Sequence, residues 1–560
     1  MSHWRVIAAV SAALGCRGPG DKGRPSPSAG DSAAQDSAAR DTGRADTAAA
    51  PGWRSRLYPE DWAPGFGVDG WALVDFSHAG YHADGRPLPA PGPEGAYAAV
   101  DFGGDPTGAT DATDAIQRAV DAAAAAGGGV VWLGPGAWRV DGQVTVRTSG
   151  IVLAGAGPAE TRLVFPTAAG RAFDAHIRFF GAPMASRSAA LAADAGAGMD
   201  RVAVAAGHGI VPGDEVQVGW SISEDFRADH GMQGHWGFSA GAWRPFFRRT
   251  VLAVLPGAGG DAVDELQLDV PLRYPALLRD GARVDVVEGL LSEVGLVGVG
   301  VSDATARWED AWAESQAHVV WMRGVKDGFV SRVESFAGPQ GDGAHHLRSG
   351  GLLIEASRRV TVADVRLSDP QHRGEGGNGY LFEVRQSNEV LIRDAEAARG
   401  RHNFIVNWDF GASGVVFLRT RSVGGEAFTS ATDPLGTPAC SEYHHALAMA
   451  NLVDDSWADD CWKAVNRLSY SSGAGHTATE SVFWNLRGPG PLTSHQYGRG
   501  YVIGTETTEV ATEVLDIYES LGTAPEDHRE GVGEGALLEP RSLYEDQLRR
   551  RLGGAGGAGG

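Results

Sequence analysis

Between Gly350 and Arg421 the chain repeats one hydrophobic beat. The segments GLLIEASRRVTVADVRL, GYLFEVRQSNEVLIRDAEA and HNFIVNWDFGASGVVFLRT each alternate apolar and polar residues, turn, and alternate again. Such alternation predicts half-buried strands, with second strands at Val360–Val362, Val390–Ile392 and Val415–Phe417. The step from Val390 to Val415 is one coil of a solenoid in which each strand stacks on its counterpart about 4.8 Å away. Aligning GLLIE, GYLFE and NFIVN on their first strands places Glu355, Glu383 and Asn407 in one column, with Arg385 and Asp409 flanking it.

Upstream, DFGGDPTGATDATDAIQRAVDAAAAAGGGVVWLGPGAWRV predicts a turn, a helix and a strand. Asp111 is the expected N-cap, with Asp114 at the third helical position. Ile116, Ala119, Val120 and Ala123 mark one apolar face, and Gly127, Gly128 and Gly129 stop the helix. Val130–Leu133 is the next strand, followed by a turn at Pro135 and Gly136. After VTVRTSGIVLAGAGPAETRLVF the beat breaks between about 170 and 298, where longer loops separate strand-like runs. This stretch is expected to be an inserted β-rich subdomain. Within it Trp220, Trp236, Trp243, Phe246 and Phe247 gather beside Arg248 and Arg249, either to stack on sugar rings or to pack a loop against the solenoid wall. The beat returns near His318 and runs to about 535. A final amphipathic helix, with Leu543, Tyr544, Gln547, Leu548 and Leu552 at helical spacing within 536–553, is expected to cover the open end.

The stretch from Asp101 resembles the opening of the pectate-lyase-like proteins related to the polygalacturonases, roughly DFGAxGDGxTDxTxAIQxAIxAA followed by GGGxVxLPxGxY. Asp101, Phe102, Gly103, Asp111, Thr113, Ala115, Ile116, Gln117 and the glycine run match, whereas Pro106, Thr107 and Gly134 depart from it. The resemblance covers about forty residues. It implies an all-β, right-handed single-stranded parallel β-helix whose first coils and capping helix occupy 98–169, and a polysaccharide as substrate class. Farther on, RHNF, EYHH, SSGAGHT and QYGRGYVIGT are similar to strings that recur in a branch of secreted β-helix proteins, which reinforces the fold.

Composition narrows the rest. Eighty glycines suit many tight corners, and the formal charge of −22 argues against nucleic acid as partner. An acidic polysaccharide stays open, because only the cleft has to be positive. Residues 1–16 read as a lipoprotein-type signal, with Arg5, the apolar run Val6–Leu14 and Ala13-Leu14-Gly15-Cys16 as lipobox. The alternative is an ordinary secretory signal. Lipidation of Cys16 would be the only membrane attachment, and an extracytoplasmic location follows: outer membrane, cell surface or secreted. Residues 17–51, almost free of large apolar side chains, form the expected disordered tether. An extended lead-in spans 52–97, and 554–560 is a disordered tail. Cys440 and Cys461 lie about one coil apart, within reach of a disulfide or left as two buried thiols.

Candidate chemistry concentrates between Ala398 and His476. A lyase abstracts the proton α to a uronate carboxylate and needs a base and a neutralising cation. His402, His444, Lys463, Arg467 and His476 offer both. An inverting hydrolase needs two carboxyl groups about 6.5–9.5 Å apart, as Glu383 with Asp409 or Asp409 with Glu442 would supply. Arg385, Arg399, Arg401, Asn407, Glu442, Trp236, Trp243 and Arg249 complete the expected substrate contacts. Against each single residue stands a plainer use in coil corners, notably for Asp454, Asp455, Asp459 and Asp460. Gly207-His208-Gly209 matches a polygalacturonase signature but lies in the insertion, ahead of the regular coils, and no NTD string accompanies it. No cofactor is required by the sequence. No metal site is read, calcium is left open, and His444 and His445 are expected to face opposite ways on a strand. The leading expectation is an enzyme cleaving an acidic polysaccharide by β-elimination or hydrolysis. The competing one is a surface-anchored glycan-binding or adhesion protein. Oligomeric state is not readable.

Overall fold

The computed structural model describes residues 52–167, 170–257, 263–431, 436–507, 509–512 and 525–555. The expected signal with Cys16, the tether up to residue 51 and residues 556–560 lie outside the described residues.

The repeated beat is a right-handed parallel β-helix. Ten strands stack in parallel as one wall: Val144–Val146, Ala175–Phe180, His318–Arg323, Gly350–Glu355, Tyr380–Arg385, His402–Asn407, Ser441–Tyr443, Trp462–Ala464, Leu492–Ser494 and Val510–Ala511. Alternation sends every second side chain inward, so like meets like on successive rungs. Leu352 pairs with Phe382 and Phe382 with Phe404, and the two phenylalanine rings stack at 5.0 Å.

The opposing wall starts with pairs of short strands, Gly129–Leu133 with Gly136–Arg139 and Ile151–Gly155 with Thr161–Val164, and continues as long strands, Leu291–Ser302 on Val325–Ser335 on Arg358–Ser368. The coils after these divide again into pairs of short strands, starting with Leu391–Arg393 and Glu396–Ala398. A bend recurs in register through both forms. Gly298, Arg332, Asp364, Asp394, Arg419, Asp455, Asn485, Gly504 and Gly531 occupy successive rungs of one column, and all have positive φ between 45° and 68°. Glycine, asparagine and aspartate enter this left-handed region most readily. Asp455, foreseen at a coil corner, is therefore one, and it accepts from Asn485 Nδ2 and Arg487.

The capping helix spans Thr113–Ala125 and buries Ile116, Ala119, Val120 and Ala123 against Leu133, Val140 and Leu163, as the periodicity predicts. Its N-cap is Ala112, not Asp111. Asp111 sits one residue earlier, where its carboxylate accepts from the Thr113 amide at 2.9 Å and the Asp141 amide at 3.0 Å, tying the first turn to the neighbouring coil. The C-terminal helix, Leu543–Ala555, starts later and ends later than expected. It does not close the open end. Leu543 and Tyr544 pack with Leu57, Tyr58 and Phe76 of the lead-in along the outer flank of the second wall, over Leu391, Leu418, Leu452 and Trp484.

The inserted subdomain is shorter than the interval 170–298. Ala175–Phe180 and Leu291–Ser302 belong to the solenoid walls, because each finds parallel partners there. Between them, six antiparallel strands from Met184 to Glu288 surround a separate core of Trp220, Phe246, Phe247 and Leu266. That core continues into Phe410, Ala446 and Leu447 of the solenoid. A buried ion cluster reinforces the seam: Arg273 donates to Glu389 at 2.7 and 2.9 Å, and Arg249 donates to it at 3.2 Å. All three side chains are at most 3 % exposed.

Two stability measurements test this architecture. Glu389→Ala leaves two guanidinium groups buried without their counter-charge, and urea unfolding should show a loss of about 3–5 kcal/mol. A loss under about 1 kcal/mol would mean that the arginines find other partners. Cys440 and Cys461 form a disulfide across a separation of 21 residues. Replacing both by alanine should lower stability by about 3 kcal/mol through the freed chain entropy.

Candidate active site

The register of the ten-stranded wall differs from the sequence alignment by two residues. Glu355 pairs with Arg385 and Arg385 with Asn407, whereas Glu383 lies between Leu353 and Ile405. Ile405 is followed by Glu442, Lys463 and Thr493. Two adjacent outward columns therefore carry the polar groups, and they meet in two buried nodes.

The first node is Glu383. It accepts from Arg385 Nε at 2.6 Å and Asn407 Nδ2 at 2.7 Å, and His318 Nε2 lies 3.3 Å away. Burial alone would raise its pKa, but Arg385 and His318 outweigh burial and hold the carboxyl down at about 2. The second node is Glu442. Arg467 reaches both of its oxygens at 3.0 Å, and the Nε2 atoms of His402 and His444 each lie 3.4 Å from Oε1. A chain of contacts joins the nodes. Asn407 Oδ1 is 3.2 Å from His445 Nδ1, which is 2.7 Å from His444 Nδ1. His445 Nε2 donates to the Ser471 carbonyl at 2.6 Å. Burial lowers the pKa of His402 and His445 to about 4, and burial with the nearby Arg467 places His444 well below the ordinary histidine value. All three imidazoles are neutral at pH 7.

The solvent side of the nodes is cationic. Arg385, Arg401, Lys463 and Arg467 are half-buried, and Lys463 makes no hydrogen bond or ion pair among the described residues. Trp408 stands exposed at the rim with 42 % of its surface free, edge-on to His445 at 4.6 Å and stacked on Phe238 at 5.1 Å.

Glu383, Arg385, Arg401, His402, Asn407, Glu442, His444, Lys463 and Arg467 are thus brought together. The other expected site residues are not. Asp409 is 6 % exposed and turned to the insertion, where Ser239 Oγ at 2.7 Å and Arg244 donate to it. It clamps two bodies. Trp236 is fully buried and donates to the Ala474 carbonyl, Trp243 lies under the Arg283 guanidinium at 4.0 Å, and Arg249 serves Glu389. These aromatics take the packing alternative. Arg399 is exposed and pairs with Asp369, and His476 is buried against Tyr497. His208 of the GHG string meets Asp264 within the insertion at 3.3 Å.

His318, His445 and Trp408 were missed. His444 and His445 do not diverge, because the strand ends at Tyr443 and both histidines lie in the turn beyond it. His318 begins its strand in register with Gly350, whose missing side chain leaves room for the imidazole to reach Glu383. Among the described residues two clusters bring three metal-ligating side chains together: His402–Glu442–His444 and His82–Glu293–Asp327. Both contain histidine nitrogen, so neither offers the shell of about six to eight oxygens that calcium takes.

Comparison with known proteins is consistent with this architecture. Residues 97–174 match the family model of rhamnogalacturonase A/epimerase, pectate lyase-like. Alginate lyase 7 of Azotobacter vinelandii is 46 % identical over 72 residues, which is 12 % of this chain and 8 % of that protein. Mannuronan C5-epimerase AlgE3 of the same organism is 48 % identical over 68 residues, 11 % and 4 % of the two chains. The matched segments thus span only a small part of these relatives. Among solved structures, an exopolygalacturonase from Thermotoga maritima aligns over 82 % of this chain and 94 % of its own, with 10 % identity and a TM-score of 0.37. Over residues 97–174, which include the capping helix, this chain is similar to the pectate-lyase-like parallel β-helix proteins.

Proposed function

We propose that this chain is an extracytoplasmic polysaccharide-modifying enzyme that acts on an acidic glycan at the carbon α to a uronate carboxylate, cleaving by β-elimination. The observation that carries the reading is the pair of half-buried guanidinium groups of Arg385 and Arg467, with the half-buried Lys463 amine beside them, set over two carboxylates that are already paired. The matched relatives are an alginate lyase and mannuronan C5-epimerases, and a uronate polymer is the substrate class proposed. The disulfide between Cys440 and Cys461 supports an oxidising location.

In this mechanism Arg467 and Arg385 draw in the uronate carboxylate and stabilise the negative charge that grows on it as the α proton leaves. Lys463 acts in its unprotonated amine form: the amine takes the α proton as general base, and the ammonium so formed gives a proton to the departing glycosidic oxygen. Trp408 supplies an exposed ring on which a sugar can stack. Hydrolysis is the weaker reading, because it requires a carboxylic acid with a raised pKa. Glu383 is held near 2, and both oxygens of Glu442 accept from one nitrogen of Arg467.

Purified full chain incubated with alginate, polygalacturonate and neutral glycans should generate the ultraviolet absorbance of an unsaturated uronate from an acidic polymer only. New reducing ends without that absorbance would indicate hydrolysis, and retention of glycan with neither would indicate a binding protein. Lys463→Ala and Arg467→Ala should each lower kcat/KM by about 10²–10⁴-fold. Trp408→Ala should raise KM more than it lowers kcat.

A further inference from the structure

The Glu442 node holds a feature that acid–base pairing does not account for. Two histidine nitrogens point at the same carboxylate oxygen, and in the neutral imidazoles the surrounding hydrogen bonds place the ring proton on the other nitrogen of each. His402 Nδ1 is 2.6 Å from the Cys440 carbonyl, and a carbonyl only accepts, so the imidazole hydrogen is on Nδ1. Its Nε2 is then a bare lone pair, buried and without a hydrogen-bond partner. His445 must donate through Nε2 to the Ser471 carbonyl at 2.6 Å, which makes its Nδ1 the acceptor of the 2.7 Å contact with His444. The longer 3.2 Å approach of Asn407 Oδ1 to that same Nδ1 is the weaker demand. His444 therefore donates from Nδ1, and its Nε2 is also a lone pair.

Both lone pairs stand 3.4 Å from Glu442 Oε1, whose carboxylate is oriented by Arg467. Three electron-rich atoms facing one another in a site whose side chains are 9 %, 3 % and 6 % exposed repel unless a cation sits between them. Their spacing fits one. Tetrahedral ligands at about 2.0–2.1 Å from a zinc-sized ion are separated by about 3.3–3.4 Å, and all three ligand atoms lie within 4.8 Å of one another. The outer partners are those of a metal site, with each ligating histidine donating its second nitrogen to a fixed acceptor. A carboxylate has about four lone-pair positions, so Glu442 can serve Arg467 and an ion together. The cluster of His82, Glu293 and Asp327 lacks this frustration. His82 Nε2 bonds Glu293 at 2.7 Å, Tyr81 donates to the other Glu293 oxygen, and Arg359 pairs with Asp327.

We infer that His402, Glu442 and His444 form a binding site for one divalent first-row transition-metal ion of the zinc type, with Arg467, His445, Ser471 and Cys440 as its outer shell. The two-nitrogen, one-oxygen donor set selects such an ion over calcium or magnesium. The inference does not depend on which glycan reaction, if any, the chain performs.

The test uses untagged full chain stripped with a chelator and titrated with Co2+, then Zn2+. One equivalent of Co2+ should produce the visible absorption of a tetrahedral site, and one equivalent of Zn2+ should erase it. Zn2+, but not Ca2+, should raise the melting temperature. His402→Gln and His444→Gln should each weaken Zn2+ binding by more than about 100-fold, while His82→Gln leaves it unchanged. X-ray absorption of the wild-type zinc complex should show imidazole ligands, which keeps the test decisive if a glutamine variant misfolds. Absence of a stoichiometric cobalt band, an all-oxygen shell, or full affinity in a folded His444→Gln variant would overturn the proposal. Because these readouts are of binding, they can fail while uronate cleavage is still observed, and the reverse.

Discussion

A parallel coil repeats only if the chain bends at the same place on every rung. In this protein that constraint is visible as one column of left-handed residues, from Gly298 through Asp394 and Asn485 to Gly531. Each bend costs little where glycine, asparagine or aspartate occupies it and somewhat more at Arg332 and Arg419. Because the bends are in register, the strands that follow are in register too, and side chains distant in sequence become neighbours a few ångströms apart. Glu383, Glu442 and Lys463 share a column for this reason alone.

The same stacking explains why so many ionisable groups are buried without harm. A carboxylate out of water is costly unless it is paired and hydrogen-bonded. Glu383 has Arg385 and Asn407, Glu389 has Arg249 and Arg273, and Glu442 has Arg467. Apart from Arg385, which shares a strand with Glu383, these partners arrive from a neighbouring coil or from the insertion, so the charge is satisfied largely by long-range structure. What remains unsatisfied then stands out. The bare nitrogens of His402 and His444 are such a remainder, and the surface cation Lys463 is another.

Much of the fold was legible in the sequence, because period-2 alternation and the helical face Ile116, Ala119, Val120, Ala123 are local signals that tertiary structure did not override. The walls, the capping helix and the existence of the insertion all followed from them. The site was legible as a region and not as a geometry. Turns of unequal length shifted the register by two, which moved Glu383 out of the column with Asn407 even though their side chains still meet. The hydrogen-bond partners of Asp409, Ser239 and Arg244, lie 170 and 165 residues upstream, outside any local pattern. A strand continuing past Tyr443 would turn His445 away from His444, but the strand ends there and the turn brings the two rings together.

The insertion and the solenoid meet at Asp409, and the loop that holds this carboxylate also carries Trp408 to the rim, where Phe238 of the insertion stacks on it. The subdomain therefore is not an accessory that evolution could trade freely between coils. Excising it would remove the ring, hydroxyl and guanidinium that hold the rim loop in place, so recombination at its apparent boundaries would unmake the cleft it borders. A lineage that keeps this rim must inherit both bodies together.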